Sequence, residues 1–321
     1  MNAFQYATAT SPASARELIG ENGRYLAGGM DLISELKEYI ADPKVVVNIK
    51  TMPGLAKIEP GEPSWKIGAN VTVASLEDHT DLKKTFPGLQ QAASEVGSRQ
   101  IRNWGTVGGN LAQHSRCWYY RHRDVHCLKK GGDLCYARHG DNRFHSLFTG
   151  NTCISPTPSN LAIALCALDA TVTVSMKDGK EKQMSIPELY AAAWRDPEAH
   201  NSLAPGDLIL RVEVPVQQRR SAYIQMSSKS EFDWALVSCA AAAKLDGNKL
   251  SQARVVLGWV SNIPYQVEDA NKFLEGKELT EGTASKAAEM ILAAAHVHSD
   301  NGYKIPIAQT LIRRTLLQLK A

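Results

Sequence analysis

The chain has 321 residues, 44% hydrophobic and 21% charged, with 36 Lys and Arg against 33 Asp and Glu, and six cysteines. That balance excludes a disordered polymer and a disulfide scaffold, and a formal charge of +3 makes no global case for nucleic acid. No apolar run reaches the ~18–20 residues that span a bilayer, and the length predicts two domains. The segment MNAFQYATATSPASARELI has neither a basic n-region nor an apolar h-region, so no signal peptide is expected. The cytoplasm is the expected compartment, with export beside a twin-Arg partner as the alternative.

In chain order, ASARELIGEN and LISELKEYI both carry apolar residues at helical spacing on either side of the turn YLAGGMD. KVVVNI, bounded by Pro43 and the Thr51–Gly54 turn, is a β-branched run that predicts a buried strand. The first fifty residues are therefore expected as helix, glycine turn, helix, strand. WKIGANVTV predicts a second strand, with Gly68 and Asn70 as bulge or turn positions. A helix from about Leu89 to Val96 leads into NWGTVGGNLA, whose glycines are expected at a strand–helix junction.

From Ser115 to Cys153 the character changes to His, Arg, Gly and aromatic residues without periodicity. Seven Lys and Arg stand there against three Asp, a local charge of +4, and four of the nine histidines are included. Thirty-nine residues without regular structure are improbable in a folded domain unless something ties them down. After this stretch, NLAIALCALDATVTVSM predicts helix then strand, and LILRVEVP a strand closed by Pro215. The final third contains the Ala-rich ALVSCAAAAKL, a strand ARVVLGWV, and helices around VEDANKFLEG, TASKAAEMILAAAHV and IAQTLIRRTLLQLK. These predict a second α+β domain, with the boundary near residues 215–222.

Cysteines 166 and 239 lie in apolar segments and are expected as buried core residues. Cys117, Cys127, Cys135 and Cys153, separated by 9, 7 and 17 residues, share one basic loop. Zinc favours short C-x2–4-C knuckles that this set lacks, whereas a wider iron–sulfur cluster can be wrapped by a long loop and is stabilised by nearby cations. Spacing favours iron–sulfur and leaves zinc, or no metal, open. The paired glycines of LAGGMDL and GTVGGNLA suggest backbone turns whose N–H groups line an anion site. Neither matches the G-x-G-x-x-G or P-loop pattern, and two such turns suit a dinucleotide pyrophosphate.

Taken in order, YLAGGMDLI, RNWGTVGGNLA, SPTPSNLAIALCALDA and PGDLILRVEVP resemble the FAD-binding medium subunit of the xanthine dehydrogenase, or molybdenum hydroxylase, family over nearly the whole chain. The resemblance implies an α+β fold with a FAD-binding domain of the PCMH (vanillyl-alcohol-oxidase-like) type at 1–216, in lobes of about 1–54 and 55–216, then a C-terminal domain at 217–321. The insertion at 115–153 is similar to the one in members with an extra 4Fe–4S cluster, such as periplasmic aldehyde oxidoreductase and 4-hydroxybenzoyl-CoA reductase. It implies Cys117, Cys127, Cys135 and Cys153 as cluster ligands.

For FAD it implies a turn of Leu26, Ala27, Gly28, Gly29, Met30, Asp31, Leu32 and Ile33, and a second of Thr106, Val107, Gly108, Gly109 and Asn110. Val96, Asn160, Ile209 and Lys229 are the remaining expected contacts. Met30 stands where the family usually has Thr, Asn160 where it has Asp, and Gln225 where it has a flavin-site Lys, so Lys229 is the expected substitute. The implied role is electron transfer between iron–sulfur centres and an external acceptor, with no catalytic base. The implied partners are a molybdenum-cofactor large subunit and a 2Fe–2S small subunit; nucleic acid and membrane are not expected. The basic loop, through Arg121, Arg123 and Lys129, is expected to attract a ferredoxin-like acceptor. The rival readings are a zinc-stabilised docking subunit without flavin and a stand-alone flavin oxidase.

Overall fold

The computed structural model describes residues 1–230 and 232–320. Strands Gln5–Thr8, Val45–Asn48 and Gly23–Leu26 lie side by side in that order as a parallel sheet. Helices Pro12–Ile19, opened by a Ser11 capping box, and Leu32–Lys37 accompany it. Two of these strands depart from the helix–turn–helix–strand expectation. Gln5–Thr8 is largely exposed and Gly23–Leu26 contains Gly and Arg, so neither shows a strand's periodicity. Pairing with the valines of Val45–Asn48 is what makes them strands.

A five-stranded antiparallel sheet follows, ordered Ile58–Glu59, Ser64–Gly68, Leu208–Pro215, Thr171–Ser175, Glu181–Ser185. WKIGANVTV leaves this sheet at Gly68, where a Cβ would collide with the Leu55 carbonyl, and Val73–Asp78 is a helix capped by Thr72. GTVGGNLA likewise follows a helix, Arg99–Trp104, not a strand. Gly105 ends that helix, and Gly108 and Gly109 lie inside helix Val107–Ala112, which Thr106 caps.

The third sheet, Lys249–Gly258, Ala235–Asp246, Arg220–Ser227, is antiparallel and includes the alanine-rich segment as its central strand. Helices Glu268–Leu274, Glu281–Leu292 and Lys304–Gln318 pack with it. All eight residues of helix Asn160–Ala167 are buried, and the helix contacts all three strands of this last sheet, chiefly Ala235–Asp246 and Lys249–Gly258, as well as helix Val107–Ala112. An all-round apolar helix of this kind can only be a core element, and its N-terminus, Asn160, is thereby fixed at the meeting point of the sheets. Among the described residues no helix is long and apolar enough to cross a membrane.

Candidate functional site

A cleft of about 790 Å³ runs between the parallel sheet, the five-stranded sheet and the start of the third sheet. That volume lies within the range of small-molecule and cofactor pockets. Of the expected contacts, Leu26, Ala27, Gly28, Gly29, Met30, Asp31, Leu32, Val96, Thr106, Gly108, Gly109, Asn110, Asn160 and Ile209 line it. Ile33, Val107 and Lys229 do not. Ile33 is partly exposed on its helix, and Val107 turns into the core. Lys229 is exposed, its backbone N–H donating to Asp233.

The two glycine turns differ in what they offer a ligand. In the second, Val107 N–H donates to Val71, Gly108 N–H to Ala69, Gly109 N–H to the Thr106 hydroxyl and Asn110 N–H to Thr106. Those donors are spent inside the protein. Gly108 serves close packing instead, since a Cβ there would sit 2.9 Å from the Ala69 Cβ. In the first turn the amides of Gly28, Gly29, Met30 and Asp31 have no partner among the described residues. Gly29 has φ +75°, and a Cβ on Gly28 would run into the Trp104 carbonyl. Unpartnered amides on a cleft-lining turn suit a phosphate, so this turn fits the pyrophosphate of FAD.

Asn160 holds the far wall. Its amide donates to Gln225 Oε1 at 3.1 Å, its carbonyl accepts from the Trp259 indole at 3.0 Å, and Gln225 in turn donates to Glu95 at 2.9 Å. Burial holds the Glu95 carboxyl above its ordinary value, against the pull of Arg102 and Gln225. Trp234 and Trp259 also line the cleft, 5.5 Å apart between ring centres. Nothing in the sequence pattern marks these two tryptophans, because one precedes and the other follows a long strand of the third sheet.

Beside the cleft, Cys117, Cys127, Cys135 and Cys153 converge on one small pocket. Cys117, Cys127 and Cys135 each stand immediately before a short helical turn, and the other three residues of note at the pocket are Tyr120, Lys129 and His145. Burial pushes the Cys117 thiol up to about 12, while His145 Nε2 lies 3.1 Å from its sulfur. Cys135 is drawn down by its hydrogen bond with Cys153 and by the amides of Ile154, Arg138 and Ala137; Cys153 is held up correspondingly. Among the described residues, no three of these sulfurs lie within 4.8 Å of one another. A tetrahedral zinc ion with Zn–S bonds of about 2.3 Å would hold all four about 3.8 Å apart. The four thiols thus share one pocket, with Cys135 and Cys153 in hydrogen-bond contact, without standing as a closed tetrahedron. Cys166 and Cys239 are buried elsewhere in the core.

The loop carrying these cysteines is tied down on several sides. Asn262 donates to the carbonyls of Cys153 and Ser155, both at 2.9 Å, and Asn301 to that of Ser146 at 3.0 Å. Asn151 reaches the Ala193 carbonyl at 2.9 Å. Two of the three basic residues expected to face an acidic partner are turned inward. Lys129 donates to the Ala199 carbonyl at 2.8 Å, and Arg121 pairs with Asp31 at 2.6 Å. Arg123 remains exposed, paired with Asp124.

Asp31, Glu35 and His114 bring ligand atoms within 4.8 Å of one another, but both carboxylates already face guanidinium groups. Arg116 and Arg121 pair with Asp31, and Arg121 also lies 3.5 Å from Glu35. This cluster is an ion-pair node, with the His114 ring 2.9 Å from Glu35 and stacked on His200 at 4.0 Å.

Comparison with known proteins places this geometry. Residues 2–217 match the FAD binding domain in molybdopterin dehydrogenase, and residues 221–319 the CO dehydrogenase flavoprotein C-terminal domain. The chain is 30% identical to the aldehyde oxidoreductase FAD-binding subunit PaoB of Escherichia coli K12, over 100% of this chain and 99% of that one. It is 25% identical to the carbon monoxide dehydrogenase medium chain of Afipia carboxidovorans, over 99% and 97%. Among solved structures, reconstituted CO dehydrogenase from Oligotropha carboxidovorans superposes with a TM-score of 0.78 at 22% identity, covering 99% of this chain and 98% of that one. At that identity the superposition speaks for the fold alone.

Proposed function

The chain belongs to the family of FAD-binding medium subunits of molybdenum hydroxylases and is an oxidoreductase subunit; from that premise we propose that it relays electrons through FAD in the cleft and a 4Fe–4S cluster on Cys117, Cys127, Cys135 and Cys153. Bound there, the flavin exchanges electrons singly or in pairs and the cluster exchanges them one at a time. The relatives named as medium chains and FAD-binding subunits support partnership with a molybdenum-cofactor large subunit and a 2Fe–2S small subunit.

This chain's residues supply position and electrostatics. Unpartnered amides from Gly28 to Asp31 receive the pyrophosphate, and the Asn160–Gln225 pair with Trp259 walls the opposite side. Met30 offers no hydroxyl, yet its backbone N–H remains among the open donors. At the second site the loop buries Cys127, Cys135 and Cys153 and leaves Cys117 half-buried. The observation that carries the cluster reading is the convergence on one pocket of four thiols that are far apart along the chain and lack the short knuckle spacing zinc favours. An acidic ferredoxin-like acceptor has less to recognise than the local charge of +4 suggests, because Arg121 and Lys129 are engaged internally.

Anaerobic purification followed by metal, sulfide and flavin analysis tests the proposal. The expected result is one FAD with about four irons and four sulfides per chain. Stoichiometric zinc without iron would establish the docking-subunit reading instead. Flavin without metal, with rapid reoxidation by O2, would establish the stand-alone oxidase.

A further inference from the structure

The geometry points to a thermodynamic linkage between the two sites: the cysteine loop is part of the frame of the flavin cleft, so FAD binds more tightly when the loop holds its cluster. This inference rests on the reading of the two sites proposed above.

Asp31 ends the turn of unpartnered amides and stands at the N-terminus of helix Leu32–Lys37; Glu35 lies one turn further on. Both carboxylates are gripped from the cysteine loop and its leading edge. Asp31 accepts from the His114 backbone N–H at 2.7 Å and from Arg121 at 2.6 Å, and pairs with Arg116 at 3.0 Å. Glu35 accepts from the Tyr120 hydroxyl at 3.0 Å and lies 2.9 Å from His114 Nδ1. Every one of these partners falls between residues 114 and 121, on either side of Cys117.

Two of them reach the two sites, one each. Tyr120 lines the cysteine pocket while its hydroxyl reaches Glu35. Arg116 lines the flavin cleft, with its guanidinium 4.7 Å from the Trp234 ring centre. Glu35 is 2% exposed, so its contacts are shielded from solvent and salt, unlike surface ion pairs. With Cys117 anchored to a cluster, the segment is held from the metal side and holds the amide turn in shape. Without that anchor, the same contacts must order an unrestrained segment, and the turn loses part of its support. Linkage makes the effect reciprocal, so bound FAD also favours cluster retention.

The test measures the FAD dissociation constant of the full chain by quenching of flavin fluorescence, iron-loaded and after anaerobic removal of iron with a chelator. Iron removal is expected to weaken FAD binding by a factor on the order of 5–150, the usual span of coupling between linked sites. In iron-loaded Arg121→Gln, FAD affinity is already reduced and iron removal changes it little further. Tyr120→Phe deletes a single hydrogen bond, is less exposed to misfolding, and is expected to give an intermediate dependence. Equal FAD affinity with and without iron would overturn the linkage and leave the cofactor reading standing. A chain that takes up no iron on anaerobic reconstitution overturns that reading, and the linkage with it.

Discussion

The side-chain amide of Asn160 donates to that of Gln225 across 3.1 Å, although 65 residues separate them in the chain. The resemblance implies Asp and Lys at these positions, and on that expectation two departures that look independent along the sequence form one neutral pair at the cleft wall. Replacing both members of a charged pair together leaves no buried charge unmatched, whereas replacing one would.

Gln225→Leu is expected to cost about 1–3 kcal/mol of stability, chiefly because the buried Asn160 amide loses a partner, with the solvent-exposed Glu95 carboxylate losing a weaker one. Urea midpoints check this. Restoring the charges one at a time should destabilise, and Asn160→Asp with Gln225→Lys together should recover a coupling on the order of 0.5–3 kcal/mol. Strict additivity in that double-mutant cycle would show that the two positions do not act as a pair.

At the amide turn, Gly28→Ala is expected to lower both melting temperature and FAD retention, since the added methyl meets the rigid Trp104 carbonyl and pushes the open donors out of line. Gly61→Ala is the control. Its Cβ would make only an ordinary 3.5 Å contact, so its stability should stay within about 0.5 kcal/mol of the parent. Undiminished flavin content in Gly28→Ala would remove the turn from the binding site.

Glu35 gives a pH signature. Burial pushes its carboxyl up, but the His114 and Tyr120 hydrogen bonds and the charges of His114 and Arg121 outweigh burial and hold it below its ordinary value. Stability from such a group is complete above the unfolded-state pKa and is lost as pH falls through the lower folded value. The deficit of Glu35→Gln relative to the parent should therefore be largest near neutrality and shrink in acid. Urea titrations from pH 7 downward measure it, and a pH-independent deficit would contradict the assignment.

Lys304 is fully buried, donates to the Trp259 carbonyl at 2.9 Å, and is lowered to about 7 by burial. Between that value and the ordinary lysine range the unfolded chain binds more protons than the folded one, so stability rises with pH across the window. Relative to Lys304→Met, the parent should gain up to about 1.4 kcal/mol per pH unit above pH 7. Parallel stability curves for the two proteins over that range would show that Lys304 does not titrate there.

Much of the candidate site was legible because its chemistry is local. Four cysteines in a basic loop, glycine pairs at turns and the apolar run ending at Cys166 announce themselves by residue type. The strands Gln5–Thr8 and Gly23–Leu26 were not legible, since their only support is pairing to a third strand. Lys229 was a reasonable substitute for a lysine missing at position 225, yet it is exposed beyond the cleft lining.

By itself, the sequence determined the family, the α+β fold class and the four thiols set apart from the two in the core. Tertiary structure alone decided which glycine turn keeps its N–H groups open, which cations face solvent, and that Asn160 meets Gln225. The physical reason is that residue type sets what a group can bond to, whereas folding sets which partner reaches it first. Gly109 and Gly28 have the same donor, but the Thr106 hydroxyl has already taken one of them.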